Sequence, residues 1–240
     1  MAYQGKIKMN TKTQSMKQKR NALNAVTLKS LQATEIIAQA AQREPFTAQL
    51  EAVEITPTFV ATLRADTATC HQTLDDAFDA DQDHKGRTTA EGVAHKALIA
   101  VLRRIQAAAS QKFARDPENA HKLAQYGIGT NLLDSRAVLA QYAPGILSHL
   151  STESLPGLGA AFVAQAAQAL SAWTDAQSGQ AAAQQTATQK RAEAQVQAKA
   201  ITDRRIQVQY AIEGLYPHTL SENAAARAAF LLPKTRPFRG

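Results

Sequence analysis

Asp79, Asp81 and Asp83 stand at alternate positions, the spacing of the first three side-chain ligands of a calcium-binding loop. Such a loop needs a glycine at its sixth position for the sharp turn and a bidentate glutamate at its twelfth. Here His84 takes the sixth position and Gly86 comes two residues late; Ala90 takes the twelfth, with Glu91 one residue beyond it. Asp75 and Asp76 add charge without adding geometry. The segment reads as a solvated turn between helices, and any cation held there as weakly and incompletely coordinated.

Glu118-Asn119-Ala120-His121 has the spacing of one half of a carboxylate-bridged di-iron site in a helical bundle. Such a site needs a second copy and two further glutamates, and the corresponding segment keeps Glu222 but has Ala225 where histidine is required. Glu118 is better explained as the first-turn acid of a short helix opened by Asp116 and Pro117. Glu91 and His95, four residues apart, read as a surface pair on one helix. No phosphate-binding glycine loop, nucleophile elbow or zinc motif is present. The expectation is a protein without catalytic residues, resident metal or cofactor.

Two arginine pairs, Arg103-Arg104 and Arg204-Arg205, open identical Arg-Arg-Ile-Gln elements 101 residues apart. Glu118-Asn119-Ala120 recurs as Glu222-Asn223-Ala224 at a shift of 104, and Tyr126 falls on Phe230 at that same shift. Two elements in the same order, separated by a three-residue difference in the break, point to a duplicated helical unit. Pseudosymmetry could then bring the four arginines together as an anion site, whereas alone each pair would lie along a helix flank near local acids such as Asp203.

The elements that carry these residues are helical. The chain has 49 Ala and 24 Gln among 240 residues, with aromatics at only 5%, a composition that favours helices meeting through thin, Ala-rich contacts. Predicted helices run from about Lys17 to Gln42, from Pro57 through Phe78, and from Ala94 to Phe113, with a short one closing at Tyr126-Gly127. In the second half they run from Leu132 to Leu150, interrupted at Pro144-Gly145, then from Gly159 to Gln177 and, after a turn at Ser178-Gly179, on to Leu215. A last short helix is capped by Ser221-Glu222. The expected fold is all-α: an internally duplicated bundle of two long antiparallel hairpins with short flanking helices and pseudo-twofold symmetry. Its expected divisions are a basic flexible arm at 1–16, repeat units at 17–129 and 130–233, and a basic tail at 234–240.

Charge is unevenly placed. Residues 1–34 hold seven basic side chains and no acid, among them Lys6, Lys8, Lys12, Lys17, Lys19 and Arg20, while Lys234, Arg236 and Arg239 crowd the last seven positions. These basic termini could condense on nucleic acid by counterion release. Between Ala137 and Gln189 there is no Lys or Arg, and only Glu153 and Asp175 are acidic. A solvent-facing helix normally carries mixed charges, so Gln165, Gln168, Trp173 and Gln177 are candidate contacts for a protein partner or a second copy.

Cys70 is the sole cysteine, which excludes an intrachain disulfide, and its spacing with Leu63, Leu74 and Phe78 suggests burial. The absence of an apolar leader in the first residues fits a cytoplasmic protein, and no apolar run approaches the roughly 18–20 residues of a membrane span. The function expected is therefore a non-enzymatic structural or interaction protein that self-associates through 137–189. The alternative is a nucleic-acid-associated protein that uses its basic termini on a helical scaffold.

Overall fold

A computed structural model describes residues 8–115, 117–130 and 135–240, and the side chains of these except 8–24 and 117. The described residues are all-helical: α1 Lys8–Ala41, α2 Phe46–Glu51, α3 Pro57–Phe113, α4 Ala120–Gln125, α5 Arg136–Thr152, α6 Ala160–Leu215 and α7 Ala224–Ala229. Single 3-10 turns at Pro117–Asn119 and Ser221–Asn223 lead into α4 and α7. No strand occurs among the described residues, only an isolated bridge between Leu155 and Leu158. None of these helices is long and apolar enough to cross a membrane.

Two of the expected turns do not exist. Helix α3 runs unbroken for 57 residues through Asp79–Gly86, and α6 for 56 residues through Ser178-Gly179. The long helices α3 and α6 pack together in place of the two expected hairpins. The physical reason is that neither segment contains proline, and an interior glycine costs a helix only about 1 kcal/mol relative to alanine. Helix α5 likewise passes through Pro144 without a break. The starts at Pro57 and near Gly159 follow the sequence, whereas α1 begins at Lys8 rather than Lys17 and the described α5 at Arg136. Thr56 Oγ1 accepts from Phe59 N at 3.2 Å just before Pro57 in the first helical position, and Ser135 caps α5 through Val138 N.

The chain divides into two compact units, the first made of two separate stretches of sequence and the second of one. Unit 1 comprises residues 1–78 and 189–240, and unit 2 comprises residues 79–188. In unit 1, Leu31 and Ile37 of α1, Leu50 of α2, Val60, Leu63 and Cys70 of α3, Ile201, Val208 and Ile212 of α6, and Phe230 and Leu232 beyond α7 form one core. Cys70 is fully buried, and burial pushes its thiol pKa up. In unit 2, Leu98, Leu102, Ile105 and Phe113 of α3 meet Leu139, Ile146 and Leu150 of α5 and Phe162, Ala166 and Trp173 of α6 around Tyr126. Beyond that core, the α6 side chains buried in the remainder of unit 2 are Ala183 and Ala187.

Candidate functional site

The continuity of α3 decides the acidic segment. Residues 79, 81 and 83 lie two apart on a helix of 3.6 residues per turn, so Asp81 projects from the side opposite Asp79 and Asp83. Asp83 instead pairs with Arg87 one turn on, at 3.4 Å. The expected solvated turn is thus corrected to a continuous helix, on which the three carboxylates of the weak cation candidate do not converge on one point. Among the described residues no group of three His, Cys, Asp or Glu side chains is placed to hold a metal. His121 turns its Nδ1 to the Glu118 carbonyl at 3.0 Å, inside its own helical turn.

Unit 2 contains a polar cluster that sequence reading misplaced. Glu91 is not on the surface: it is 1% exposed. Arg136, at the start of α5, donates Nε to Oε1 at 2.7 Å and Nη2 to Oε2 at 2.9 Å, a two-pronged pair. The indole N–H of Trp173 donates to the same Oε1 at 3.1 Å. The Arg136 hydrogen bonds lead in holding the Glu91 carboxyl below its ordinary value, against the opposing effect of burial. His95, the expected surface partner, lies with its ring 6.1 Å from Trp173, and its Nε2 is buried without a hydrogen bond. Trp173 is 1% exposed. It is therefore removed from the candidate contact surface; its role is to brace α3 against α6.

A second anchor in unit 2 is Glu153, which receives Lys112 Nζ at 3.3 Å, Lys122 Nζ at 3.2 Å and the Tyr126 hydroxyl at 3.3 Å. Burial, reinforced by that carboxylate, pushes the Tyr126 phenol up to about 12. One of the two acids between Ala137 and Gln189 is thus already neutralised by lysines. The outward face of α6 carries Ala164, Ala167, Ser171, Thr174, Ser178, Ala182 and Gln185, all exposed and uncharged. Thr174 and Ser178 turn their hydroxyls back to the carbonyls of Leu170 and Thr174 at 3.0 Å each, while Ser171 donates to the exposed Asp175 carboxylate at 3.4 Å, so the face is weakly polar apart from Asp175. Gln165 and Gln168 are exposed beside it, while Gln177 is half-buried.

In unit 1 the equivalent anchor is an arginine. Arg227 of α7 is fully buried, and its guanidinium donates to the carbonyls of Tyr216 at 2.7 Å, Pro233 at 2.8 Å and Arg236 at 3.1 Å. It also pairs with Glu213 at 2.9 Å. Burial works against ionisation of Glu213, but hydrogen bonds from Arg227, the Phe238 amide and His218 outweigh it and hold the carboxyl below its ordinary value. Nothing in the spacing of the sequence marks this clasp, because most of its acceptors are backbone carbonyls.

The four arginines of the echoed element serve separate, local roles. Arg104 sits 4.7 Å over the Phe162 ring in unit 2, with Arg103 exposed. Arg204 pairs with Asp66 at 2.6 Å in unit 1. Arg205 is half-buried with its Nε unpartnered, and burial lowers its pKa. Lys6 and the side chains of Lys8, Lys12, Lys17, Lys19 and Arg20 lie outside the described residues. No family model, curated protein or solved structure matches this chain.

Proposed function

We propose that this is a non-enzymatic helical protein that self-associates through the outward face of α6 in unit 2. The observation that supports it is the run of exposed, mostly small residues from Ala164 to Gln185, in which Asp175 is the single charge. Small side chains allow a second helix to approach closely, and the depletion of charge removes the desolvation cost that normally keeps helix surfaces apart. Sedimentation at micromolar concentration tests it: the wild-type chain should be a dimer or larger, and Ala167→Glu with Gln168→Glu should yield a monomer with unchanged helicity. A wild-type monomer, or an oligomer indifferent to the two glutamates, overturns the reading.

We also infer that the segments closing the two units are copies of one module, in a register of 103–104 rather than the 101 of the arginine echo. Support comes from parallel chemistry. Gln106 donates Nε2 to the Tyr126 carbonyl at 3.2 Å, and Gln209 donates Nε2 to the Phe230 carbonyl at 3.0 Å. Next come left-handed residues, Gly127 at φ 69° and Leu231 at φ 57°. Ile128 N reaches Leu123 O, and Leu232 N reaches Arg227 O, the long bond of a helix-terminating motif. In this register buried Ile105 corresponds to buried Val208, whereas Ile206 is only half-buried.

A further inference from the structure

Residues 233–240 contain no helix, yet they are packed onto unit 1 as a strap. Their backbone is held at four points: the Pro233 and Arg236 carbonyls by Arg227, the Phe238 amide by Glu213 at 3.2 Å, and the Gly240 amide by the Tyr210 hydroxyl at 3.2 Å. The Phe238 ring meets Tyr210 edge-on at 5.2 Å. With the backbone held by α6 and α7 and Phe238 turned onto Tyr210, the side chains of Lys234, Arg236 and Arg239 are left exposed. Glu213, the carboxylate the strap does meet, is committed to Arg227, His218 and the Phe238 amide. Tyr210, which the strap touches through Phe238 and Gly240 on either side of Arg239, remains 52% exposed.

Residues 1–78 and 189–240 together carry 18 Lys and Arg against 11 Asp and Glu, while residues 79–188 carry nine of each. Within unit 1, residues 1–34 carry seven basic side chains and no acid, and the remainder balances at 11 of each sign, so the strap's cations stand out locally rather than through the charge of the unit.

We propose that the strap binds single-stranded nucleic acid. Lys234, Arg236 and Arg239 contact successive phosphates, and the exposed face of Tyr210, supported by Phe238, stacks on a base. Cations that track a backbone beside an aromatic platform are the chemistry of single-strand recognition, since only an unpaired base offers its face. Guanidinium groups match phosphate oxygens in a fork. Holding the strap in place before binding reduces the ordering cost that a free basic tail would incur. A membrane surface fits less well, because the strap's one large apolar side chain is turned onto Tyr210 rather than outward. The proposal is independent of self-association through unit 2.

Fluorescence anisotropy of the full chain with a labelled twelve-nucleotide oligothymidylate tests it, alongside the same sequence in duplex and vesicles of phosphatidylserine. Binding to the single strand should weaken at least tenfold when Lys234, Arg236 and Arg239 are all changed to Gln. The slope of log affinity against log salt should become shallower by about 2, from roughly 0.7 per lost contact. Tyr210→Ala should cost about tenfold, while Tyr210→Phe, which keeps the ring, should bind as wild type. Absence of single-strand binding near physiological salt overturns the proposal, as does preference for the vesicles or the duplex. Unchanged affinity in the triple variant also overturns it and moves the phosphate contacts to residues 1–34.

Discussion

The indole N–H of Trp173 and the carboxylate of Glu91 meet at 3.1 Å inside unit 2, joining α6 to α3 through a bond that is 1% exposed on both sides. A buried carboxylate survives only when its charge is matched, and Arg136 supplies the match. Arg136 itself is 54% exposed, so the two members of the pair are not equivalent. Water already solvates Arg136 if Glu91 is lost, whereas Glu91 without Arg136 keeps only the Trp173 hydrogen bond and whatever water enters the vacated space.

That asymmetry predicts the order of two substitutions. Arg136→Ala should destabilise unit 2 by about 3 kcal/mol or more, because it leaves a buried charge unpaired. Glu91→Gln should cost about 1–2 kcal/mol, since the amide can still accept from Trp173. Because the folded pKa of Glu91 is depressed, its contribution is present above the ordinary value of 4.5 and is lost as pH falls below it. Urea unfolding followed by fluorescence of the single Trp checks both, and equal costs for the two variants would contradict the asymmetry.

Tyr126 gives the opposite sign at the other end of the pH scale. Its folded pKa is raised from 10.0 to about 12 by burial and by Glu153. The unfolded chain therefore loses this proton first, and stability should decline as pH rises from 10 toward 12. Tyr126→Phe should cost about 1 kcal/mol at neutral pH, for one hydrogen bond. The same substitution should flatten the alkaline decline, which thermal unfolding at a series of pH values would record.

How much of this could be read from sequence depends on where each signal lies. Helical class, the burial of Cys70, the helix start at Pro57 and the closing turn at Gly127 are local and legible in the sequence. The Glu91 cluster is not, because Arg136 and Trp173 lie 45 and 82 positions away. Spacing alone paired Glu91 with His95 on a helix surface. The turn at 79–86 was inferred from acidic and glycine content, yet those residues are mostly exposed, and solvated Asp side chains do not end a helix. The Arg-Arg-Ile-Gln echo aligns Gln106 with Gln207, but the glutamine that donates to a closing carbonyl in unit 1 is Gln209.

The Arg227 clasp should be intolerant of a conservative change. A lysine has one ammonium and cannot reach three carbonyls and a carboxylate that now surround a planar fork. Arg227→Lys should destabilise unit 1 by about 2–4 kcal/mol, leaving buried acceptors unpaired. Hydrogen exchange at the Phe238 and Gly240 amides should accelerate in that variant before the amides of α6 do. Simultaneous acceleration of both would mean that the strap and the helix open together.

The left-handed positions provide a matched pair of backbone tests. Leu231 holds φ 57° with a side chain that is 47% exposed, so Leu231→Gly relieves strain and loses little packing. It should stabilise the chain by up to about 1 kcal/mol. Gly127→Ala, at φ 69°, should cost about 1 kcal/mol. Chemical denaturation distinguishes them by sign, and two shifts in the same direction would contradict the shared closing geometry.

Gly86 and Gly179 separate continuous helices from hairpin turns in solution. Within a helix each glycine is a weak point, and alanine should gain roughly 0.5–1 kcal/mol by restricting the unfolded chain. Nothing stands in the way at Gly86, where an added Cβ has no neighbour within 4 Å. At Gly179 it would meet Arg87 Nη1 at 3.5 Å, an ordinary contact with the movable end of a side chain. Gly86→Ala and Gly179→Ala should therefore each raise the unfolding midpoint, and together they should add. If either segment were a tight turn with a left-handed glycine, the same alanine would instead lower the midpoint by a comparable amount. The sign of the shift decides between one long helix and two short ones at each position.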